Sequence, residues 1–287
     1  RCVSCGQCLV SCPFGAIVDK SQIYQVIRSI LEGNEVVAIV APSFVGQFGK
    51  DVTVPKFLTA MKQLGFSDVV EVAAGADICT IEEAHDFLEK VPNEQRFMAT
   101  SCCPSWRMMA RRLFPAESGN ISMTYTPMVY TARLVKKEHP NSKVVFIGPC
   151  AAKKLEAMQD DIRTDVDFVL TYEELMGIFE AKEINFSTLP DSPDLDEGTR
   201  AGHPDIELKT QRADGLRDCR KLLMLAKAGK LDGYLLEGMA CPGGCVAGAG
   251  TVVSADTAAK KLAQHMAQAS GETAKDSKYR DLADQLN

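Results

Sequence analysis

Apolar residues along this chain fall into two patterns. One is a short continuous run rich in β-branched residues. It occurs from Glu35 to Val40 (EVVAIV), Asp68 to Ala73 (DVVEVA), Arg96 to Thr100 (RFMAT), Lys143 to Ile147 (KVVFI), Val166 to Thr171 (VDFVLT) and Gly233 to Leu236. Such runs predict strands buried on both faces of a sheet. The other pattern has the helical period and is clearest from Gln22 to Glu32, where Ile23, Val26, Ile27 and Ile30 recur at spacings of three and four. Strands alternating with helices predict an α/β fold: two lobes of mainly parallel sheet with flanking helices around a buried site. Residues 1–19 form a separate cysteine-rich module, and residues 20–287 the main domain. Polar stretches interrupt the pattern twice. Residues 187–211, with the turn cluster Pro190-Asp191-Ser192-Pro193-Asp194, predict a surface connection, and Gln268 to Lys278 predict a solvated tail.

Composition narrows the reading. The chain has 287 residues, 46% of them apolar, enough for a sizeable core. A net charge of −6 leaves no basic footprint for nucleic acid. No apolar run approaches the roughly 18 residues of a membrane span. The start, Arg1-Cys2-Val3-Ser4-Cys5, is not a signal peptide, and it opens inside a motif, so an upstream segment is expected. The 11 cysteines are odd in number and tightly clustered, which argues against a disulfide framework and for a reducing cytoplasm. Cys79 and Cys219 stand alone and read as core thiols. The other nine fall into four motifs.

Cys2, Cys5, Cys8 and Cys12-Pro13 have the spacing C-x2-C-x2-C-x3-C-P, the bacterial ferredoxin run for [4Fe–4S] clusters. Three closely spaced thiolates can wrap one corner of a cube, while the fourth commonly serves a second cluster. Structural zinc would instead pair two C-x2-C halves at a distance.

Three further motifs each follow a predicted strand: Thr100-Ser101-Cys102-Cys103-Pro104-Ser105-Trp106, Gly148-Pro149-Cys150-Ala151-Ala152-Lys153-Lys154-Leu155-Glu156, and Glu237-Gly238-Met239-Ala240-Cys241-Pro242-Gly243-Gly244-Cys245. Ligands of parallel sheets bind beyond the carboxyl ends of the strands, so these motifs can converge on one site. Four thiolates would hold a buried cube, and the glycines let backbone N–H groups approach its sulfurs. Two adjacent cysteines do not readily grip the same cube. One of Cys102 and Cys103 is then a free thiol beside a metal, able to carry protons.

These three motifs resemble, in order and separation, the three signatures of the [FeFe]-hydrogenases, and the resemblance runs from Cys2 to about Gly250. It implies an H-cluster, in which a [4Fe–4S] cube is bridged by cysteine sulfur to a two-iron unit carrying CO, cyanide and azadithiolate. It further implies the reaction 2 H⁺ + 2 e⁻ ⇌ H₂ with a ferredoxin-like electron carrier, and maturation proteins that supply the diiron unit. By motif position the cube ligands would be Cys103, Cys150, Cys241 and Cys245, with Cys245 the bridge. Cys102 would carry protons, Lys153 would bond a cyanide, Met239 would pack near the diiron unit, and Ala41, Pro42 and Ser43 would form a loop against it. Glu83, Ser122 and Asp86 would relay protons to the surface.

Plainer readings stand beside these. Lys153 can be a surface lysine beside Lys154, and Met239 core filler. Thr80 with Glu83 makes a helix capping box, and Glu82 suits a helix N-terminus. His85, His139, His203 and His265 show no ligand spacing. The chain also departs from the family: Gly148 stands where the best-known members carry Met, Met128 where many carry Gln, and the expected Gly-Gly turn between Gly198 and Ala213 is missing. Two alternatives follow, an H₂ sensor and an iron–sulfur assembly paralogue that keeps the cube without the diiron unit.

Overall fold

The structure is a computed structural model that describes residues 2–192, 199 and 208–286. The chain opens with α1 (Gln7–Ser11) and α2 (Ile23–Leu31). Next come β1 (Val36–Val40), α3 (Val54–Leu64), β2 (Asp68–Glu71), α4 (Ala73–Lys90), β3 (Met98–Ala99), α5 (Pro104–Leu113), α6 (Pro127–Glu138) and β4 (Lys143–Gly148). It continues through α7 (Ala152–Glu156), β5 (Phe168–Thr171), α8 (Tyr172–Ala181), β6 (Lys209–Asp214), α9 (Leu216–Lys227), β7 (Tyr234–Met239) and α10 (Ala255–Met266).

Two sheets result, with strand orders β2-β1-β4-β5 and β3-β7-β6, and every pairing is parallel. The first sheet is covered on both faces because β1 is apolar at every position. Val36, Ala38 and Val40 face α3 and α8 through Phe57, Tyr172 and Phe179, with Phe44 of the turn after β1, whereas Val37 and Ile39 face α6 through Met128, Val129 and Ala132. The strand's alternation distributes one continuous apolar run between two cores. The second sheet has its own core, in which Trp106 and Met109 of α5 and Leu222 and Leu223 of α9 pack on Leu236. Cys219 lies in that core, with its thiol 3.3 Å from the Met239 carbonyl, as a core thiol should.

Gly75 lets α4 lie directly on α6: a Cβ there would meet Thr131 Oγ1 at 2.3 Å and the Pro127 carbonyl at 2.4 Å. Close backbone approach thus needs glycine, despite its helix cost of about 1 kcal/mol. The N-terminal module is seated the same way. A Cβ on Gly6 would lie 2.4 Å from that of Ala249. Lys154 fastens the module's end, pairing with Asp19 at 2.7 Å and with Glu174 of α8 at 2.9 Å.

Four expectations need correction. The capping box at Thr80 and Glu83 does not form, because both lie inside α4, where Thr80 bonds back to the Ala76 carbonyl. Glu82 is likewise in the helix interior. Residues 187–211 are not merely a surface connection: their end belongs to β6, an edge strand whose positions are mostly exposed, and a polar edge carries no apolar run. The expected solvated tail, Gln268 to Lys278, is solvated only in part: Gln268, Ser270, Glu272, Asp276 and Lys278 are exposed, but Ala269, Ala274 and Ser277 are buried, and the segment packs on α4. Of the departure between Gly198 and Ala213, Gly198 and residues 200–207 lie outside the described residues, as does His203.

Candidate metal centre

The three central motifs stand at the carboxyl ends of strands, as their sequence order implied. Cys102 and Cys103 link β3 to α5, Cys150 follows β4, and Cys241 follows β7. The two sheets therefore deliver cysteines to one place. Charge on Cys103 raises the Cys150, Cys241 and Cys245 thiols, and Cys150 raises Cys241 and Cys245. Burial is the larger cause in each case. It pushes Cys150 up to about 11, and Cys241 and Cys245 up to about 12, although Cys245 is open to solvent on one side. Those three thiols resist ionising together on their own and suit a cationic body that would repay both burial and repulsion.

Backbone donors already point at the sulfurs. Ala240 N–H lies 3.4 Å from Cys103 Sγ, and Ala152 and Lys153 N–H groups face Cys150. In the N-terminal run Ser4 N–H donates to Cys2 Sγ at 3.3 Å, and Phe14 and Ala16 N–H groups bond Cys12; both thiols fall below their usual range. N–H···S bonds of this kind surround iron–sulfur clusters. Cys5 adds to the charge felt by Cys241, so the two cysteine sets are neighbours. Among the described residues no three His, Cys, Asp or Glu side chains converge tightly enough to grip a single ion. The cubane fit rests on donor chemistry and on the convergence of the motifs.

The two adjacent cysteines differ in their surroundings. Cys103 acts on Cys150, Cys241 and Cys245, whereas Cys102 lies between two groups: after burial, Glu83 raises it most, followed by Cys103 and Cys245. Glu83 is bonded by the Ser122 hydroxyl and the Ser101 N–H, yet burial pushes its carboxyl up to about 7. Glu237 and Asp86 push in the same direction. Ser122 is buried, and Asp86, one turn along α4, pairs with Lys90 at 2.8 Å. Cys79 lies beneath the same acids and stays well above the usual thiol range, first through burial and then through Glu83.

Lys153 is not a surface lysine. Its side chain is 12% exposed and its Nζ lies 2.6 Å from Glu156 Oε2, on a carboxylate with no exposure at all. Glu156 also accepts a 2.7 Å bond from Thr126 Oγ1, while Lys153 Nζ approaches that same hydroxyl at 3.3 Å. Burial opposes the Lys153 charge, but Glu156, Cys102 and Cys150 outweigh it and hold the pKa above its ordinary value. Met239 Sδ lies 3.9 Å from Cys245 Sγ, at the site rather than in the core. Ala41, Pro42 and Ser43 turn off β1 near it: Tyr172 OH donates to the Ala41 carbonyl, lies 2.7 Å from Ser43 Oγ, and is raised well above its ordinary range, chiefly by burial and further by Cys245. Sequence reasoning gave no role to Thr126 or Glu237, and Glu156 entered it only as the end of the Cys150 motif. Thr126 has no motif of its own, and Glu237 was only a letter within one. His139 and His265 are ordinary: His139 pairs with Glu35 at 2.7 Å and His265 with Glu71 at 3.3 Å.

Comparison with known proteins agrees with this geometry. The family model for the iron-only hydrogenase large subunit, C-terminal domain, matches residues 34–204 and again 194–249. The chain belongs to that family. It is 30% identical over 310 residues to iron hydrogenase 1 of Clostridium pasteurianum, covering 83% of this chain and 54% of that protein. It is 22% identical over 356 residues to cytosolic iron-sulfur assembly component 3 of Rattus norvegicus, covering 92% of this chain and 74% of the relative. The fold superposes on apo [FeFe]-hydrogenase HydA1 of Chlamydomonas reinhardtii with a TM-score of 0.79, over 92% of this chain and 94% of that one, at 20% identity. The chain spans about half the length of the curated hydrogenases it matches. Membership implies iron–sulfur clusters, and the divergence lies in the identity. Among the described residues no helix is long and apolar enough to cross a membrane.

Proposed function

We propose that this chain is the H-cluster domain of an [FeFe]-hydrogenase, interconverting protons and H₂ with electrons from a ferredoxin-like carrier. The observation that carries the reading is the position of Cys102: after burial, the charges that most raise its thiol are Glu83, then Cys103 and Cys245, which puts it between the buried acid and the cysteine set. A cluster-holding scaffold has no use for a buried thiol that feels the charge of a carboxyl near 7, itself bonded by a serine; a proton-coupled site does.

Cys103, Cys150, Cys241 and Cys245 would hold the cube, with Cys245 as the bridge, and Cys2, Cys5, Cys8 and Cys12 would serve N-terminal clusters. The diiron unit with its CO, cyanide and azadithiolate would supply the redox chemistry on hydrogen. The chain's own part is narrower. Cys102 moves a proton between the buried site and Glu83. Ser122 holds the Glu83 carboxyl, and Asp86 continues toward solvent. Lys153, locked by Glu156 and Thr126, presents one ammonium to a small anionic ligand. Met239 and the Ala41–Ser43 loop exclude water. The chain would receive its diiron unit from maturation proteins.

Iron–sulfur assembly is a second reading, favoured by one observation: the match covers more of the assembly relative than of the hydrogenase, 74% against 54%. Turnover separates the two. After anaerobic maturation with a diiron precursor, reduced methyl viologen should drive H₂ evolution, and Cys102→Ser at equal iron content should abolish most of it. No H₂ from fully iron-loaded, diiron-treated protein would favour assembly.

A further inference from the structure

The chain is acidic overall, with net charge −6, yet α5 carries a run of unmatched positive charge. Arg107 and Arg111 lie one turn apart on a single face, and Arg112 flanks them. With Met108 they form one wall of a groove of about 310 Å³, whose other wall is Leu155 and Gln159. Among the described residues none of the three arginines pairs with a carboxylate. Arg107 donates to Gln159 Oε1 at 2.9 Å, Arg111 rests 3.8 Å from Met123 Sδ, and Arg112 donates to the Cys2 carbonyl. Glu156 reaches the groove floor but is committed to Lys153.

Apolar surface accompanies the charge. Met123, against which Arg111 rests, is 75% exposed, and Leu155 44%. Arginine and exposed methionine and leucine together are the composition of an interface rather than of a solvated face. The position matters as much. Pro104 on the groove floor directly follows Cys103, and Arg112 holds the backbone of Cys2. A protein seated here would sit beside both cysteine sets.

We propose that the α5–α7 groove docks a small acidic iron–sulfur electron carrier, which delivers one electron per encounter. The proposal rests on the cluster reading above. In each encounter the reduced carrier loses one electron and an oxidised cubane of this chain gains it; no bond breaks and no proton is required. Opposite charge across the contact raises the encounter rate and orients the partner.

Stopped-flow absorbance tests this without any H₂ turnover. The cluster-loaded full chain is mixed with a dithionite-reduced bacterial ferredoxin that carries two [4Fe–4S] clusters and a net negative charge. Arg107→Glu/Arg111→Glu should slow electron transfer about tenfold or more at roughly 50 mM salt, with the gap closing at about 0.5 M. The charge-preserving Arg107→Lys/Arg111→Lys should stay within about twofold of the parent. Reduction by methyl viologen radical should not slow in either variant. A chain that assembles no cubane absorbance overturns the functional reading and the docking site together. Loaded clusters whose ferredoxin rate ignores the charge reversal overturn the docking site alone.

Discussion

Removing the carboxylate charge of Glu156 should unsettle the centre without touching a cysteine. The pair it forms with Lys153 is short and dry: 2.6 Å, with side chains 0% and 12% exposed. At an effective dielectric of 20, two unit charges at that distance attract by roughly 6 kcal/mol, and burial cancels part of it. Glu156→Gln leaves the ammonium without a counter-charge and should cost about 3–5 kcal/mol. Lys153→Met strands the carboxylate and should cost a similar amount. The double variant removes both charges and should lose at least about 2 kcal/mol less than the two single losses summed. Trp106 is the only tryptophan and is fully buried, so its fluorescence follows urea unfolding of the cluster-free chain. Additive losses, or a Glu156→Gln cost below about 1 kcal/mol, would show that the pair is not the buried lock described here.

Three more perturbations follow from the same geometry. Glu83 has its carboxyl raised from 4.5 to about 7, so its contribution is complete below 4.5 and is lost as pH climbs through 7. Between pH 4.5 and 8 the parent should lose roughly 2–3 kcal/mol that Glu83→Gln keeps, allowing for partial solvent contact; urea midpoints that run parallel across this window would refute the assignment. Cys103→Ala should lower bound iron, whereas Cys102→Ser should leave iron unchanged and cut turnover about 10²–10⁴-fold; equal iron loss in both would erase the distinction between them. Gly238→Ala would place a Cβ 2.2 Å from the Trp106 ring, which is packed tightly and bonded to the Thr100 carbonyl at 3.0 Å. Overpacking there should cost about 1–3 kcal/mol or more, and an unchanged urea midpoint would contradict the contact.

The parts of the fold legible in the sequence were those with apolar content. β1 and β4 are continuous β-branched runs, and their residues sit within a residue of the expected bounds. β6 was missed because an edge strand of polar residues, KTQRAD, leaves no hydrophobic trace. The packed tail was missed for a related reason: it docks through Ala269, Ala274 and Tyr279, too few apolar residues to form a pattern. At the site, spacing alone placed the cysteines at strand ends. It did not separate Cys102 from Cys103, because that depends on which neighbour each thiol faces. Thr80, Glu82 and Glu83 read as a cap because their local spacing fits one; tertiary packing of Gly75 on α6 extends the helix by two turns before them. The Lys153–Glu156–Thr126 lock joins α7 to the start of α6, a contact with no sequence signature.

The most direct test is the infrared spectrum of the full chain after anaerobic maturation with a diiron precursor, recorded under H₂ and under argon. Sharp CO and cyanide bands that shift between the two gases are the expected result, and Lys153→Ala should displace the cyanide bands specifically. Protein that carries its cubane iron but shows no such bands, or shows bands indifferent to H₂, would contradict the hydrogenase account and leave an iron–sulfur protein of another kind.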